Sequence, residues 1–305
     1  MTGPKAKSGS AATSPRKRFS LTGRSARLDP RVHAVRGDLA DVTLFETVFS
    51  AHYAQAVMTR CTAPHTMLYQ KPDAGSVAVS QILHGESFHV LDLTGQWAWG
   101  YCGHDDYVGY VARELLEVDQ PVPDHVVTAQ AAPLFTAPDI KSPIAGTLPI
   151  GALFQGVAEG DFIPCGAHYV HARHAALIAD RASDWVAVAM DYAGQPYRWG
   201  GRGGEGIDCS GLVQQSLARC GIDAQRDTDL QRATLGIEIS ADAPLRRGDI
   251  VFFPGHVGLM VDGMQLLHAN AHAGCARSVE PLADVIARLA PLHETPVLAR
   301  RRIMP

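Results

Sequence analysis

A cysteine at position 209 has the sequence surroundings of a nucleophile. Five glycines lie between Gly200 and Gly206, and after Asp208 an apolar-periodic run begins that closes at Gly221. This pattern predicts a helix with Asp208 as its N-cap and Gly221 just past its end. Cys209 then lies in the first turn, where free backbone N–H groups and the helix dipole favour a thiolate. Covalent acyl transfer needs such a sulfur.

Two histidines downstream could complete a catalytic group with this cysteine. His256 opens a predicted strand that runs to Val261, and His268 lies in the next predicted strand, Met264 to Ala269. In this arrangement His256 accepts the thiol proton and His268 holds the His256 ring in one tautomer. The backbone N–H of Cys209 would contribute to an oxyanion hole.

The register of this strand pair decides whether the two histidines share a face. A two-residue turn starting at Asp262 would point them to opposite faces. A three-residue loop, Asp262 to Met264, with a bulge pairs Gly258 with His268 and puts both rings on one face, and we predict this loop. If the histidines face apart, the candidates for the orienting residue are Asn270 and His272.

The competing interpretations of these residues are structural. Free cysteines are commonly buried, and most of the chain's fourteen histidines are expected to be structural. The sequence has no His-Glu-x-x-His motif and no cysteine pair at ligand spacing, so it predicts neither a metal nor another cofactor. The glycine-rich stretch lacks the Gly-Lys-Ser ending of a phosphate-binding loop. The cysteines interpreted as structural are Cys61, Cys102, Cys165, Cys220 and Cys275.

Composition limits the class of protein. The chain has 305 residues, of which 46% are hydrophobic and 19% charged, as expected for a soluble protein of two or three domains. Its net charge of -4 argues against a nucleic-acid partner. The sequence has no run of 18 apolar residues and no signal peptide, which predicts no membrane span and a cytoplasmic location with reduced thiols.

The chain divides into five predicted segments. Residues 1–28 form a basic leader expected to be disordered, and residues 29–57 form an N-terminal arm. Residues 58–118 contain short alternating segments separated by turn residues, which predict a small β-barrel. Residues 125–180 are predicted to form a second copy of this barrel. Residues 181–305 place helices before antiparallel strands, an α+β domain.

Matching motifs support the duplication. Residues 68–73 and 134–139 share a Leu-aromatic-x-x-Pro-Asp pattern, and Gly85 and Gly151 each open a Gly-x-x-Phe strand entry. Two copies of one barrel unit account for these repeats.

Two further helices are predicted in the last segment. Ser183 caps a helix that ends at Ala193, before a glycine and a proline. Thr228 and Gln231 have the spacing of a capping box that opens another short helix.

Three motifs together resemble the NlpC-type cell-wall cysteine peptidases, which are papain-like. They are Asp208-Cys209-Ser210-Gly211-Leu212, Gly255-His256-Val257-Gly258 and Leu267-His268-Ala269, in the family's order within residues 181–305. The duplicated barrels resemble bacterial SH3 domains, and the combination is similar to the γ-D-glutamyl-L-diamino acid endopeptidases. The resemblance implies an α+β fold: a papain-like catalytic domain with an antiparallel sheet, preceded by two small SH3-like β-barrels.

The resemblance also implies an activity. It is hydrolysis of the bond between γ-D-Glu and a diamino acid in small muropeptides with a free N-terminal L-Ala, during recycling of the cell wall. The diamino acid, diaminopimelate or lysine, stays open. Carried over from the motifs, Cys209 is the nucleophile, His256 the base and His268 the third polar residue. The substrate-binding residues implied in the catalytic domain are Tyr197, Asp208, Ser210 and Thr228, the last in place of a serine in relatives.

In the first barrel the resemblance points to two residues that hold the substrate's free amine. They are Glu86 and Tyr107, and a carboxylate with a phenol suits an ammonium group. Two alternatives for the whole chain remain open. One is a secreted wall hydrolase that uses its barrels to bind wall polymer, and the other is a non-catalytic wall-binding module.

Overall fold

The computed structural model describes residues 28–272 and 275–304. All but the last residue of the predicted basic leader lies outside these ranges. Within them no helix is both long and apolar enough to cross a membrane. The described α-helices are α1 (Trp185–Met190), α2 (Cys209–Arg219), α3 (Thr228–Thr234) and α4 (Leu282–Leu289).

The N-terminal arm packs on the first barrel. It contains two short parallel strands, β1 (Leu39–Asp41) and β2 (His52–Ala54). Ala34 packs in a buried cluster with Leu91 and Trp99 of the barrel. The carbonyl oxygen of Arg31 accepts a hydrogen bond of 2.7 Å from the Val108 N–H, so the start of the arm is fixed to a barrel strand.

The first barrel, barrel 1, is a strongly bent antiparallel sheet of seven strands in the order β5-β4-β8-β7-β6-β3-β9. Its alternating side chains fill an apolar centre that includes Leu68, Ile82 and Phe88. The strands are β3 (Val57–Cys61), β4 (His65–Tyr69), β5 (Ala78–Leu83), β6 (Ser87–Thr94), β7 (Trp97–Cys102), β8 (Val108–Ala112) and β9 (Leu116–Glu117).

The second barrel, barrel 2, is built from a three-stranded and a four-stranded sheet, in the orders β13-β10-β16 and β12-β11-β15-β14. Its own core includes Leu148, Phe154 and Val170. The strands are β10 (His125–Val127), β11 (Ala131–Phe135), β12 (Ile144–Pro149), β13 (Leu153–Phe154), β14 (Phe162–Cys165), β15 (His168–His171) and β16 (Ala175–Leu177).

The two barrels share local irregularities as well as motifs. The pairing of β4 with β5 shifts register after Leu68, and the pairing of β11 with β12 shifts after Leu134. Gly85 and Gly151 both have positive φ, 75° and 86°, in the turns that follow β5 and β12. Equivalent bulges and turns at equivalent motif positions are what duplication of one unit would produce.

The C-terminal domain, for which the resemblance implies catalysis, has helices before a six-stranded antiparallel sheet in the order β17-β22-β18-β19-β20-β21. Helix α2 packs on this sheet through Leu212, Val213 and Leu217. The α+β prediction is therefore confirmed. The strands are β17 (Ile237–Glu238), β18 (Ile250–Phe253), β19 (His256–Met260), β20 (Gln265–Asn270), β21 (Cys275–Pro281) and β22 (Ala299–Arg302).

The predicted N-cap and end of helix α1 are both wrong. Helix α1 is capped by Asp184 rather than Ser183, because the Asp184 carboxylate accepts hydrogen bonds from the two N–H groups of Val186 and Ala187. The helix also ends at Met190, short of Ala193.

The predicted capping box at the start of α3 does not form. Its N-cap residue, Asp227, makes no side-chain capping bond. The buried amide of Gln231 donates instead to the carbonyl oxygens of Ser210 and Gln225, at 2.9 and 2.8 Å. Gln231 therefore ties α3 to the start of α2.

The register predicted for the histidine strands is confirmed. Leu259 pairs with Leu267, which places Gly258 opposite His268. The loop is the expected three-residue one, since the Val261 N–H bonds to the Gln265 carbonyl. The expected bulge is not found in the described pairs of this hairpin. The Asp262 carboxylate closes the turn instead, by accepting the N–H groups of Met264 and Gln265.

Candidate active site

Cys209 begins helix α2, as predicted, and is buried against strand β19. Asp208 caps the helix by accepting the Gly211 N–H at 2.8 Å. The backbone N–H groups of Ser210 and Val257 are directed at the Cys209 sulfur and lower its pKa. Val257 follows His256 directly, so strand β19 both carries the imidazole and contacts the Cys209 sulfur.

His256, His268 and Glu280 form a polar chain. His256 Nε2 lies 2.7 Å from His268 Nδ1, and His268 Nε2 lies 2.8 Å from Glu280 Oε1. His268, rather than Asn270 or His272, is therefore the residue bonded to His256. Arg288 of helix α4 donates two hydrogen bonds to the Glu280 carboxylate, at 2.8 and 2.9 Å.

This chain fixes the protons on both rings. The Arg288 guanidinium lowers the pKa of Glu280 to about 2, so the carboxylate is charged and accepts a hydrogen bond from the N–H at His268 Nε2. The Asn270 Nδ2 amide lies 3.0 Å from the same ring nitrogen and donates to the Ser278 hydroxyl at 2.6 Å. His268 Nδ1 therefore carries no proton and accepts a hydrogen bond from the N–H at His256 Nε2. His256 Nδ1 is left without a proton and is free to accept one from the thiol. In the part of the chain that the structure describes, Cys209 makes no direct hydrogen bond to His256.

In the folded chain the balance of interactions favours a neutral pair at rest, against the expectation of a thiolate at the helix start. Burial raises the pKa of Cys209 to about 12, with a further contribution from Asp208, and this outweighs the two N–H groups. Burial also lowers the pKa of His256 to about 3. A neutral thiol that rests on the strand carrying a neutral imidazole can transfer its proton to that ring as the sulfur attacks, which is general-base chemistry.

Cys209 opens into a cleft of about 330 Å³ formed by three segments of the chain. The catalytic domain contributes Asp208, Ser210 and Thr228, three of the residues expected to bind substrate. Barrel 1 contributes Tyr107, which is expected to hold the substrate amine, and the N-terminal arm contributes Arg31. The other lining residues are Gln70, Val77, Val79, Trp199, Arg226, Asp227, Asp229 and Gly255.

Asp208 is held by internal partners. Its Oδ2 lies 2.5 Å from the buried Arg226 guanidinium and 2.8 Å from the Gly200 N–H. Arg226 also donates to the Ser210 hydroxyl at 2.8 Å. Asp208 therefore positions the turn that carries Cys209, in addition to lining the cleft.

Tyr107 donates a hydrogen bond of 2.8 Å to Asp227 Oδ2, and this links barrel 1 to helix α3 across the cleft. Arg31 binds the same oxygen at 2.8 Å and Asp229 at 2.7 Å. Sequence reasoning singled out neither Arg31 nor Asp227. Tyr197 is not part of the cleft lining, but it lies close enough to Cys209 and Asp208 that these groups, together with burial, raise its pKa.

Glu86 is a correction to the sequence analysis. Its carboxylate is buried and forms an ion pair of 2.6 Å with the equally buried Arg202, and it accepts the Leu83 N–H at 2.8 Å. Glu86 lines a different cavity, between the barrels and α2. Both of its oxygens are occupied by these partners, so it docks barrel 1 on the catalytic domain and does not reach a substrate amine beside Cys209.

Glu280 and Arg288 are also functional candidates that the sequence analysis missed. Glu280 lies on strand β21, two residues beyond Ser278, which is the direct partner of His268. Residues two apart on a strand share a face, so Glu280 points to the same side as the histidines. Recognising β21 as a strand would have revealed this residue, but its sequence lacks the apolar alternation on which such a prediction depends.

Comparisons with known proteins agree with this arrangement. Residues 194–283 match the model of the NlpC/P60 family, and residues 68–116 match that of the bacterial dipeptidyl-peptidase Sh3 domain. The chain is similar to dipeptidyl-peptidase 6 of Lysinibacillus sphaericus, with 27% identity over 67% of this chain and 84% of the relative. It is also similar to the probable endopeptidase NlpC of Escherichia coli, with 38% identity over 32% of this chain and 72% of the relative.

A solved structure shares the fold. It is an NlpC/P60 family protein from Bacillus cereus, with a TM-score of 0.68 and 18% identity over 81% of this chain and the whole of that one. The Cys209 helix and the histidine strands lie inside the region that matches the family model. The chain belongs to the NlpC/P60 family and is a cysteine peptidase.

Proposed function

We propose that this peptidase hydrolyses the bond between γ-D-Glu and a diamino acid in short murein peptides with a free N-terminal L-Ala. One observation carries the proposal: the Cys209 cleft is bounded by barrel 1 and the arm, which bring Tyr107, Arg31 and Asp227 together beside the nucleophile. A relative from Bacillus subtilis, 26% identical over 64% of this chain and 73% of its own length, is named gamma-D-glutamyl-L-lysine dipeptidyl-peptidase.

Barrel 1, through its contact with the start of helix α3, would limit the length of the substrate. Because Tyr107 and Arg31 both contact Asp227, barrel 1 and the arm meet helix α3 and close one side of the cleft. A peptide still attached to glycan would have to pass through this contact. A short peptide that ends in an amine would instead place a positive charge beside the Asp227 carboxylate.

The proposed reaction uses the proton arrangement described above. The Cys209 sulfur attacks the γ-carbonyl carbon as its proton moves to His256 Nδ1, and the N–H of Cys209 stabilises the oxyanion. The diamino acid leaves with the proton from His256, and a thioester remains. Water then gives a proton to His256 and attacks the thioester, which releases L-Ala-γ-D-Glu and restores the thiol.

A requirement for a free amine would suit peptides already cut from the wall. We therefore propose that the enzyme acts in the cytoplasm on recycled peptides, with either diaminopimelate or lysine in the leaving position. The alternative, a secreted wall hydrolase, predicts binding to insoluble peptidoglycan. Sedimentation of the protein with purified peptidoglycan, together with turnover of that material, would favour the alternative.

The test compares L-Ala-γ-D-Glu-diaminopimelate and its lysine counterpart with their N-acetylated forms. We expect the free amine to be preferred, and Asp227→Asn to lower kcat/KM for the free-amine peptide about 10- to 100-fold, as loss of a charged hydrogen bond implies. The N-acetylated peptide should be affected much less. Asp229→Asn, which also loses a contact to Arg31, is the matched control. Equal turnover of both peptide forms by the unmodified enzyme would remove the amine pocket from the proposal.

A further inference from the structure

The loop between β7 and β8 of barrel 1 gathers three potential metal ligands. The Cys102 sulfur, a His104 ring nitrogen and an Asp105 carboxylate oxygen all lie within 4.8 Å of one another. Atoms bound to a single zinc ion at about 2.0–2.3 Å lie within this range of one another. The cluster is separate from the Cys209 cleft, since none of its residues lines that cleft.

His104 is the unusual member of the cluster. Both of its ring nitrogens are buried, and neither makes a hydrogen bond to any residue that the structure describes. Its Nε2 lies 3.3 Å from Asp105 Oδ2, close but without hydrogen-bond geometry. A buried polar nitrogen without a partner is costly, and a cation between His104 and Asp105 would satisfy one of the two nitrogens.

The surroundings of Asp105 match the outer contacts of a metal ligand. Its side chain is fully buried, its Oδ1 accepts the Tyr107 N–H at 3.1 Å, and its Oδ2 accepts the Gln214 amide at 2.8 Å. Such contacts orient a carboxylate and leave lone pairs for an ion. The nearby Arg202 guanidinium adds no net positive charge to this region, because Glu86 balances its charge at a distance of 2.6 Å.

His104 also provides an entry path. It lines a cavity of about 360 Å³ between the two barrels and the helices α1 and α2. Three protein ligands leave one position of a tetrahedral ion, which a small molecule in this cavity can fill.

We propose that Cys102, His104 and Asp105 form a binding site for a divalent ion, with zinc as the preferred metal. A thiolate, an imidazole and a carboxylate form a mixed ligand set that suits zinc and not magnesium or calcium. The site is structural: through Gln214 on helix α2 it joins barrel 1 to the helix that begins with the nucleophile. Binding requires the Cys102 thiol to lose its proton, so affinity rises with pH.

Barrel 2 provides a matched control. Cys165 ends β14 and is followed by a glycine, as Cys102 ends β7 and is followed by a glycine. Both thiols are buried. Ala167 and His168 stand where barrel 1 has His104 and Asp105, and among the described residues Cys165 belongs to no cluster of potential metal ligands. Cys165 therefore repeats the position without the other two ligands.

The experiment uses full-length protein carrying Cys209→Ser, so that the catalytic thiol cannot bind the probe. After treatment with a chelator, the protein is titrated with Co²⁺ and then with Zn²⁺. We expect one equivalent of Co²⁺ to give a thiolate-to-cobalt charge-transfer band, which Zn²⁺ abolishes. In the same background Cys102→Ser should lose the band, while Cys165→Ser should keep it.

His104→Ala is the decisive second variant, because this half-exposed side chain can be removed without opening the barrel core. We expect it to weaken Co²⁺ binding about tenfold or more, in line with the sensitivity of metal sites to lost contacts. Zn²⁺ should raise the unfolding temperature of the Cys209→Ser protein but not that of the variant with His104→Ala added. Absence of the band, or a band unchanged by His104→Ala, would overturn the proposal.

Discussion

Nε2 of His268 lies 2.8 Å from Oε1 of Glu280, so the catalytic pair of Cys209 and His256 continues into a half-buried charge on the last strand before helix α4. Arg288 binds the same carboxylate and keeps it ionised. The direction of every proton in the chain follows from that charge, because a carboxylate can only accept. Glu280 is thus a positioning residue that acts through His268.

Replacing Glu280 by Gln should lower kcat with little change in KM. The amide can donate as well as accept, so it no longer forces His268 to present its bare Nδ1 to His256. Loss of a charged hydrogen bond of about 1.5–3 kcal/mol corresponds to a decrease of about 10- to 100-fold. Steady-state kinetics on the free-amine peptide measure this, and Glu294→Gln, an exposed position on the same domain, is the control. A Glu280→Gln enzyme with unchanged kcat would show that the tautomers are set elsewhere.

Alkylation of Cys209 should depend steeply on pH in the absence of substrate. Burial raises the pKa of this thiol to about 12, so below that value it is mostly protonated and each pH unit gained increases the reactive thiolate about tenfold. Inactivation by iodoacetamide between pH 6 and 9 measures this, with Cys209→Ser as the blank for the other thiols. A rate that stays flat across this range would mean that a thiolate–imidazolium pair already exists at rest.

Replacing Glu86 by Gln should destabilise the protein without changing the proposed preference for a free amine. The substitution leaves the Arg202 guanidinium buried and unpaired, which typically costs about 3–5 kcal/mol. Urea unfolding measures the loss, and Glu114→Gln on the exposed side of the same barrel is the control. If the variant instead keeps its stability and selectively loses activity on free-amine peptides, Glu86 is an amine ligand after all.

The contact between the barrels can be tested at a single glycine. Gly85 has a positive φ of 75°, and a Cβ there would lie 2.1 Å from the carbonyl oxygen of Leu153 in barrel 2. Gly95 has a similar φ of 61° with no atom within 4 Å of its Cβ position. Gly95→Ala should therefore cost only the backbone strain, about 1–2 kcal/mol, and Gly85→Ala clearly more. Thermal unfolding compares the two, and equal losses would show that the barrels separate easily.

Several features of the site that depend on residues close together in the chain were predicted correctly. The helix that begins at Cys209, its cap and the histidine register all follow from residues close together in the chain, where caps and loop length determine the geometry. Glu280 and Asp227 were missed because their roles depend on contacts with distant elements. Glu86 was misassigned for the same reason, since its partner Arg202 lies in the glycine-rich stretch of another domain.

The state of the sulfur was the other error, and its cause is physical. A helix start favours a thiolate when water can reach it, and the sequence shows the helix start but not the burial. In the folded chain Cys209 is only 4% exposed, and desolvation exceeds the effect of the two N–H groups. Burial depends on how the sheet and the helix pack, which a linear pattern does not contain.

Barrel 2 contacts barrel 1 beside Gly85, where the Leu153 N–H donates a hydrogen bond of 2.8 Å to the His84 carbonyl. In the described chain barrel 2 lines no part of the Cys209 cleft, so its role is to support barrel 1. In the function we propose, barrel 2 supports barrel 1, which would exclude blocked and long peptides, and barrel 2 takes no part in the reaction itself. An enzyme deprived of barrel 2 should still cut peptides but admit blocked and longer ones, becoming indiscriminate before it becomes inactive. We therefore expect residues at the contact between the two barrels to vary less among relatives than residues on the rest of the barrel 2 surface.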